Sequence, residues 1–247
     1  MRPPEIRKVR DTNELSRVGA EEYLRAARDA TRQRGIFTVA LAGGRTPTGL
    51  YELLATHSAS ELAWDRMHFF WGDERSVPPD HPDSNYRMAR EALLSRVGVP
   101  AENVHRIATE QGDANRVAAN YEQSLREFFH LEEGRLPRFD FVLLGMGADG
   151  HTASLFPGTP AVHERSRLVV ALWVETLRSY RITLTPPVLN NAATVVFLVA
   201  GPDKASALRE VLYGEDRPHL YPSQAIQPRN GRLVWIVDRE AAALLPC

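Results

Sequence analysis

Cysteine is nearly absent: the chain of 247 residues carries one, Cys247, at its last position. A single thiol excludes a disulfide within the chain and a cysteine-based zinc site. Long hydrophobic runs are missing too. No stretch reaches the ~18 consecutive apolar residues of a membrane-spanning helix, and Met1-Arg2-Pro3-Pro4-Glu5 has no apolar core of a secretory signal. Charge of one sign is not in excess: 30 Lys and Arg stand against 31 Asp and Glu, a net charge of -1. That argues against the basic face a nucleic-acid partner requires, although a small anion needs only local positive charge. These absences lead to the expectation of a cytoplasmic protein with neither membrane nor nucleic acid among its partners.

What is there suits a globular domain. Hydrophobic residues make up 43% and charged residues 25%, enough apolar material for a core, and residues 1–247 read as one domain. Strand-like and helix-like segments alternate. Residues 13–34, 47–55, 85–97, 115–130, 205–212 and 241–245 have helical patterns, with Ser84 placed to cap the third. Residues 36–41, 67–71, 104–107 and 233–237 read as strands, the third of them weakly. The near-continuous apolar runs 139–144, 168–174 and 194–200 fit strands buried on both faces of a parallel sheet. The expected fold class is α/β, a doubly wound, mostly parallel sheet with helices on both faces. Ligands in such folds sit at the carboxyl ends of the strands, so the residues just after each strand are where chemistry is sought.

Four such places stand out. Ala42-Gly43-Gly44-Arg45-Thr46-Pro47 follows a strand and opens a helix. Its glycines let backbone N–H groups approach a ligand, Thr46 suits the N-cap and Pro47 the first helical position. A helix N-terminus attracts phosphate, and Arg45 can add a charge-assisted contact; the plain alternative is an ordinary strand-to-helix turn. Trp71-Gly72-Asp73-Glu74-Arg75 can bind a polyol and a phosphate, but taken alone it reads more readily as a surface ion-pair cluster. The oxygen-rich stretch from Asp80 to Asn85 has no metal-ligand spacing and reads as a solvated loop closed by a helix cap.

The third place, 145–157, begins Gly145-Met146-Gly147-Ala148-Asp149-Gly150-His151 and satisfies the GxGxxG pattern. The dinucleotide reading fails because Pro157 and Gly158 cut any helix short and the position 20 beyond Gly150 is Val170, not an acid. What remains is a carboxylate and an imidazole two residues apart. An ordinary imidazole titrates near ~6.5 and can take a proton from water, while Asp149 can orient the ring or bond a sugar hydroxyl. The bland alternative is a histidine that only bonds locally. The fourth place joins Arg181, at the opening of a strand, with Gly201-Pro202-Asp203-Lys204, where Lys204 enters a helix and can meet phosphate; solvent exposure is the ordinary fate of both cations. His57, His68, His105, His130, His163 and His219 have no such context and read as surface or packing residues. Ser154 lacks a G-x-S-x-G elbow, which argues against a serine nucleophile.

Taken together, LAGGRTPTGLYELL (41–54), WGDERSVPPDHPDSNYRMAREALL (71–94), LLGMGADGHTASLFPG (143–158) and RITLTPPVLNNA (181–192) resemble the 6-phosphogluconolactonase family. VVFLVAGPDKASAL (195–208) and LVWIVDREAA (233–242) add weaker matches, all in family order. The resemblance implies a modified Rossmann-like α/β fold and hydrolysis of 6-phospho-D-glucono-1,5-lactone in the oxidative pentose phosphate pathway, with no cofactor and no metal. It implies His151 as general base, and Arg45, Thr46, Asp73, Arg75 and Lys204, with the backbone cradle of Gly43 and Gly44, as substrate- and phosphate-binding positions; Asp149 is expected beside the base, fixing its tautomer. Donors to the oxyanion (Gly43 and Gly44 N–H, or Arg75) and the choice between a monomer and a small homo-oligomer stay open.

Two rivals stand beside it. Glucosamine-6-phosphate deaminase has a similar layout, but its DGH segment continues closer to IAFNEPG, with a Glu, where this chain has TASLFPG. Its acid pair is followed by an aromatic where this chain has Arg75. A non-catalytic sugar-phosphate sensor would carry a DNA-binding segment, and too few residues precede the strand at Ile36 to supply one.

Overall fold

The computed structural model describes residues 3–56 and 62–246; Cys247 and His57 lie outside them. Six strands form one wholly parallel sheet: β1 (Glu5–Val9), β2 (Phe37–Leu41), β3 (Met67–Trp71), β5 (Phe141–Gly145), β8 (Thr194–Val199) and β9 (Arg232–Asp238), in the order β1-β9-β8-β5-β2-β3. A second, antiparallel sheet holds β4 (Asp73–Arg75), β7 (Ser179–Leu184) and β6 (Val169–Val174). The helices are α1 (Thr12–Arg34), α2 (Arg45–Thr56), α3 (Asn85–Ala92), α4 (Ala114–Phe128), the four-residue α5 (Pro186–Leu189) and α6 (Ala205–Tyr213). No helix among the described residues is long and apolar enough to cross a membrane.

Local chemistry sets the helix ends. Asp11 caps α1 by accepting from Glu14 N at 2.9 Å, and α1 stops at Gly35, whose φ of +79° is left-handed and free of strain only for glycine. Ser84 caps α3 through Arg87 N, as its position predicted. Asp113 caps α4 through two N–H groups.

Residues in register on parallel strands point to the same side of the sheet. Phe37, Met67 and Phe141 accordingly meet Tyr23 of α1 on one face, while His68 and Phe70 meet Phe128 of α4 on the other. Helices thus cover both faces, as expected. At Gly19 of α1 a Cβ would stand 2.6 Å from Leu50 Cδ1 of α2 and 3.3 Å from Leu198 Cδ2 of β8, so glycine allows helix, helix and sheet to close together.

Several expected elements need correction. The run 168–174 is no strand of the parallel sheet: β6 pairs antiparallel with β7, and Trp173 on it is exposed. Residues 73–75 form a short strand rather than a loop. Strand β1 shows no apolar run in the sequence, because Glu5-Ile6-Arg7-Lys8-Val9 is mostly charged, which suits its place at the sheet edge. Helix α3 stops at Ala92, and Leu94–Arg96 continue as a 3-10 turn. Val104 makes a single bridge to Phe69, and Ala241–Leu244 is 3-10 rather than α.

Where β2 and β3 end, two buried tyrosines take up backbone groups the sheet leaves free. Tyr51 OH accepts from Ala42 N at 3.1 Å and donates to Ala42 O at 2.8 Å; Tyr121 OH accepts from Trp71 N and donates to Trp71 O. Tyr51→Phe should therefore lower unfolding stability by about 1–3 kcal/mol, the cost of orphaning buried polar groups. Urea denaturation reads this out, and an unchanged midpoint would show that Ala42 needs no such partner.

Candidate active site

The loops singled out from the sequence follow β2, β3, β5 and β8, which are neighbours in the sheet. Strand order reverses between β5 and β2, the point where open α/β sheets form a crevice. A cavity of about 320 Å³ opens there, walled by Gly43, Gly44, Arg45, Thr46, Asp73, Arg75, His151 and Lys204 among others. Every expected site residue except Asp149 lies on this wall, and Asp149 reaches it through His151.

Nδ1 of His151 lies 2.6 Å from Asp149 Oδ1, which also accepts from His151 N at 3.1 Å. Burial would raise the Asp149 carboxyl, but its hydrogen bond and charge contact with His151 outweigh that and hold it below the usual carboxylate range. A carboxylate on Nδ1 keeps the proton there and leaves Nε2 free to accept one. The ring stacks on Phe156 with centroids 4.4 Å apart. Gly147 must be glycine, since a Cβ there would come within 2.1 Å of His151 Nδ1. No helix opens on the glycine-rich loop between β5 and residue 160, in line with rejecting a dinucleotide site.

On the glycine loop, Gly44 has φ +95° and α2 begins at Arg45. Thr46 is therefore not the N-cap and Pro47 not the first helical residue; both sit inside the first turn. The first N–H groups of α2 still have no partner within the helix, and they border the cavity. Lys204 Nζ pairs with Asp203 Oδ2 at 2.7 Å; that hydrogen bond, more than any other influence, lowers the Asp203 carboxyl.

The acid pair is not a surface cluster. Asp73 is 8% exposed and Glu74 2%. Glu74 accepts from Arg75 N, Asn85 N, Tyr86 N and Ser84 Oγ at 2.7–3.2 Å, although burial, the largest influence, raises its carboxyl. Asp73 Oδ2 accepts from Ser154 Oγ at 2.6 Å, and Asn85 Nδ2 donates to Asp73 O at 2.9 Å. Ser154 and Asn85 thus belong to the site although the sequence does not point to them: Ser154 stands out there only as a rejected nucleophile, and Asn85 only as a helix start and the end of an oxygen-rich loop. Asn85 also explains Gly43, where a Cβ would fall 1.7 Å from Asn85 Oδ1. Arg181 is mid-strand, directly opposite Arg75; burial and then the charge of Arg75 lower its guanidinium, against the pull of Asp73, Asp83 and Glu74.

Away from the cavity, His68 Nδ1 and His105 Nε2 lie 3.2 Å apart, and His105 stacks on Phe70. Burial, with His68 beside it, pushes the His105 imidazole down to about 4, as suits packing residues. Among the described residues no group of three His, Cys, Asp or Glu is placed to hold a metal ion.

The chain as a whole is similar to known proteins. A family model described as glucosamine-6-phosphate isomerases/6-phosphogluconolactonase matches residues 10–235. A Nostoc protein named 6-phosphogluconolactonase is 49% identical over 216 residues, 87% of this chain and 88% of its own. A Synechocystis protein of the same name is 48% identical over 212 residues, 86% of each chain. The solved 6-phosphogluconolactonase of Trypanosoma brucei superposes with a TM-score of 0.89 at 32% identity, covering 98% of this chain and 99% of its own. The chain belongs to the glucosamine-6-phosphate isomerase/6-phosphogluconolactonase family.

Proposed function

We propose that this protein hydrolyses 6-phospho-D-glucono-1,5-lactone to 6-phospho-D-gluconate, the lactonase step of the oxidative pentose phosphate pathway, with His151 as general base. The observation that carries the reading is a carboxylate-bound imidazole sharing one cavity with a glycine-rich helix N-terminus. The names of the relatives at 48–49% identity support it. Within the family, the TASLFPG continuation (152–158), with no carboxylate, favours the lactonase over the deaminase.

Nε2 of His151 takes a proton from a water whose oxygen attacks C1 of the lactone. The C1 oxygen gains negative charge and needs donors; the N–H groups of Gly43 and Gly44 and the Arg75 guanidinium border the same space. When the C1–O5 bond breaks, the imidazolium returns its proton to O5, and the carboxylic acid formed ionises in water. Asp149 holds the ring tautomer and balances the charged imidazole. The phosphate sits at the start of α2, beside Arg45, Thr46 and Lys204, so that its binding orients the lactone. Asp73, fixed by Ser154 and Asn85, accepts from sugar hydroxyls.

His151→Ala should cut kcat by roughly 10²–10⁴ with the fold intact; near-normal turnover in a dehydrogenase-coupled assay would remove His151 from the chemistry. Lys204→Ala should raise KM by roughly 10–100-fold, the worth of a charge-assisted hydrogen bond, and spare kcat; unchanged saturation by the phosphorylated lactone would contradict a phosphate contact. Because Asp149 stays ionised below the imidazole range, the acid limb of kcat/KM should titrate a single proton. A limb of slope two would mean that a second group must also deprotonate.

A further inference from the structure

Behind the loop that carries His151 runs a strap, residues 217–225, which belongs to none of the four site loops. Ser223, 1% exposed, donates twice to the Gly150 carbonyl oxygen, from N at 3.0 Å and from Oγ at 2.8 Å. Tyr221 lies against Gly150, where a Cβ would come within 2.9 Å of Tyr221 Cδ1 and φ is +78°. The far end of the loop is tied down as well: Gly158 N donates to His219 O at 2.9 Å. The strap is in turn anchored by Gln224. Its Nε2 donates to Glu210 O in α6 at 2.9 Å and to Glu215 O at 2.8 Å, and its Oε1 accepts from Arg217 N at 2.7 Å.

The geometry has a specific consequence for the base. The Gly150 carbonyl and the His151 N–H belong to one planar peptide unit. Its oxygen is held by Ser223 and its N–H donates to Asp149 Oδ1, the same oxygen that meets His151 Nδ1. Rotating that peptide would move the N–H off Asp149 and free the carboxylate from the ring. We propose that Ser223 is a positioning residue for the Asp149–His151 pair, acting through the Gly150–His151 peptide; this rests on the reading of His151 as general base. Ser223 does not line the cavity and bonds to the Gly150 carbonyl rather than to the imidazole.

The test is Ser223→Ala in the full-length chain, read by steady-state kinetics and by NMR of the His151 ring nitrogens, with His151→Ala identifying the signal. The alanine keeps the backbone donor to Gly150 O and loses the hydroxyl. Misplacement of a reacting group by a fraction of an ångström should lower kcat by roughly tenfold, with KM within about twofold. The His151 Nδ1 signal should move as its bond to Asp149 lengthens. Unchanged kcat would overturn the positioning role. So would a lowered kcat with the His151 signal unmoved, since Ser223 would then be acting elsewhere. Full turnover by His151→Ala would remove the general base and the positioning role together, whereas full turnover by Ser223→Ala beside a crippled His151→Ala removes the positioning role alone.

Discussion

Parallel hydrogen bonding among β8, β5, β2 and β3 obliges four chain segments to leave the sheet side by side at one edge. Each must turn back there, and each carries backbone polar groups that the sheet no longer satisfies. Two of the four are closed by tyrosines from helices, Tyr51 on β2 and Tyr121 on β3. The small antiparallel sheet extends the third side, with Leu184 N bonded to Gly72 O just beyond β3. What stays open between these closures is the cavity. Its position therefore follows from strand direction and order, and its chemistry from the few side chains the four turns present.

Close approach explains which of those turns need glycine. Gly43 has the Asn85 amide over it, and Gly147 has the imidazole and carboxylate of His151 and Asp149 over it. Charge inside the site is balanced in pairs or held by hydrogen bonds: Asp149 by His151, Asp203 by Lys204, and the Asp73 carboxylate by Ser154 Oγ on Oδ2 and Asn85 Nδ2 on Oδ1. Arg75 and Arg181, by contrast, face each other as like charges. The orientation of the His151 ring is set by Asp149 on Nδ1 and by Phe156 against its face.

Much of this was readable from the chain. Buried parallel strands announce themselves as unbroken apolar runs, which is why the expected bounds of β2, β3, β5, β8 and β9 fall within two residues of the observed ones; the loops after the first four meet at one cavity. Strand β6 looked the same in sequence yet belongs to the other sheet, because an apolar run reports burial and not the partner strand. Glu74 was read with an exposed cluster because its environment is made by main-chain donors from 75, 85 and 86, which leave no mark on residue types. The strap around Ser223 was invisible for the same reason: its hold on the His151 loop runs through the backbone of Gly150 and Gly158. Thr46 is displaced from the N-cap because α2 starts at Arg45, two residues earlier than Pro47 suggests.

If one cavity holds both the imidazole and the glycine-rich start of α2 as a single ligand site, then titrating the isotopically labelled protein with 6-phosphogluconate and following it by NMR should move the signals of His151, Gly43, Gly44 and Lys204 together along one saturable binding curve. Movement of the glycine-loop signals with His151 unchanged at saturation would place the ligand away from the imidazole and rule out a shared site.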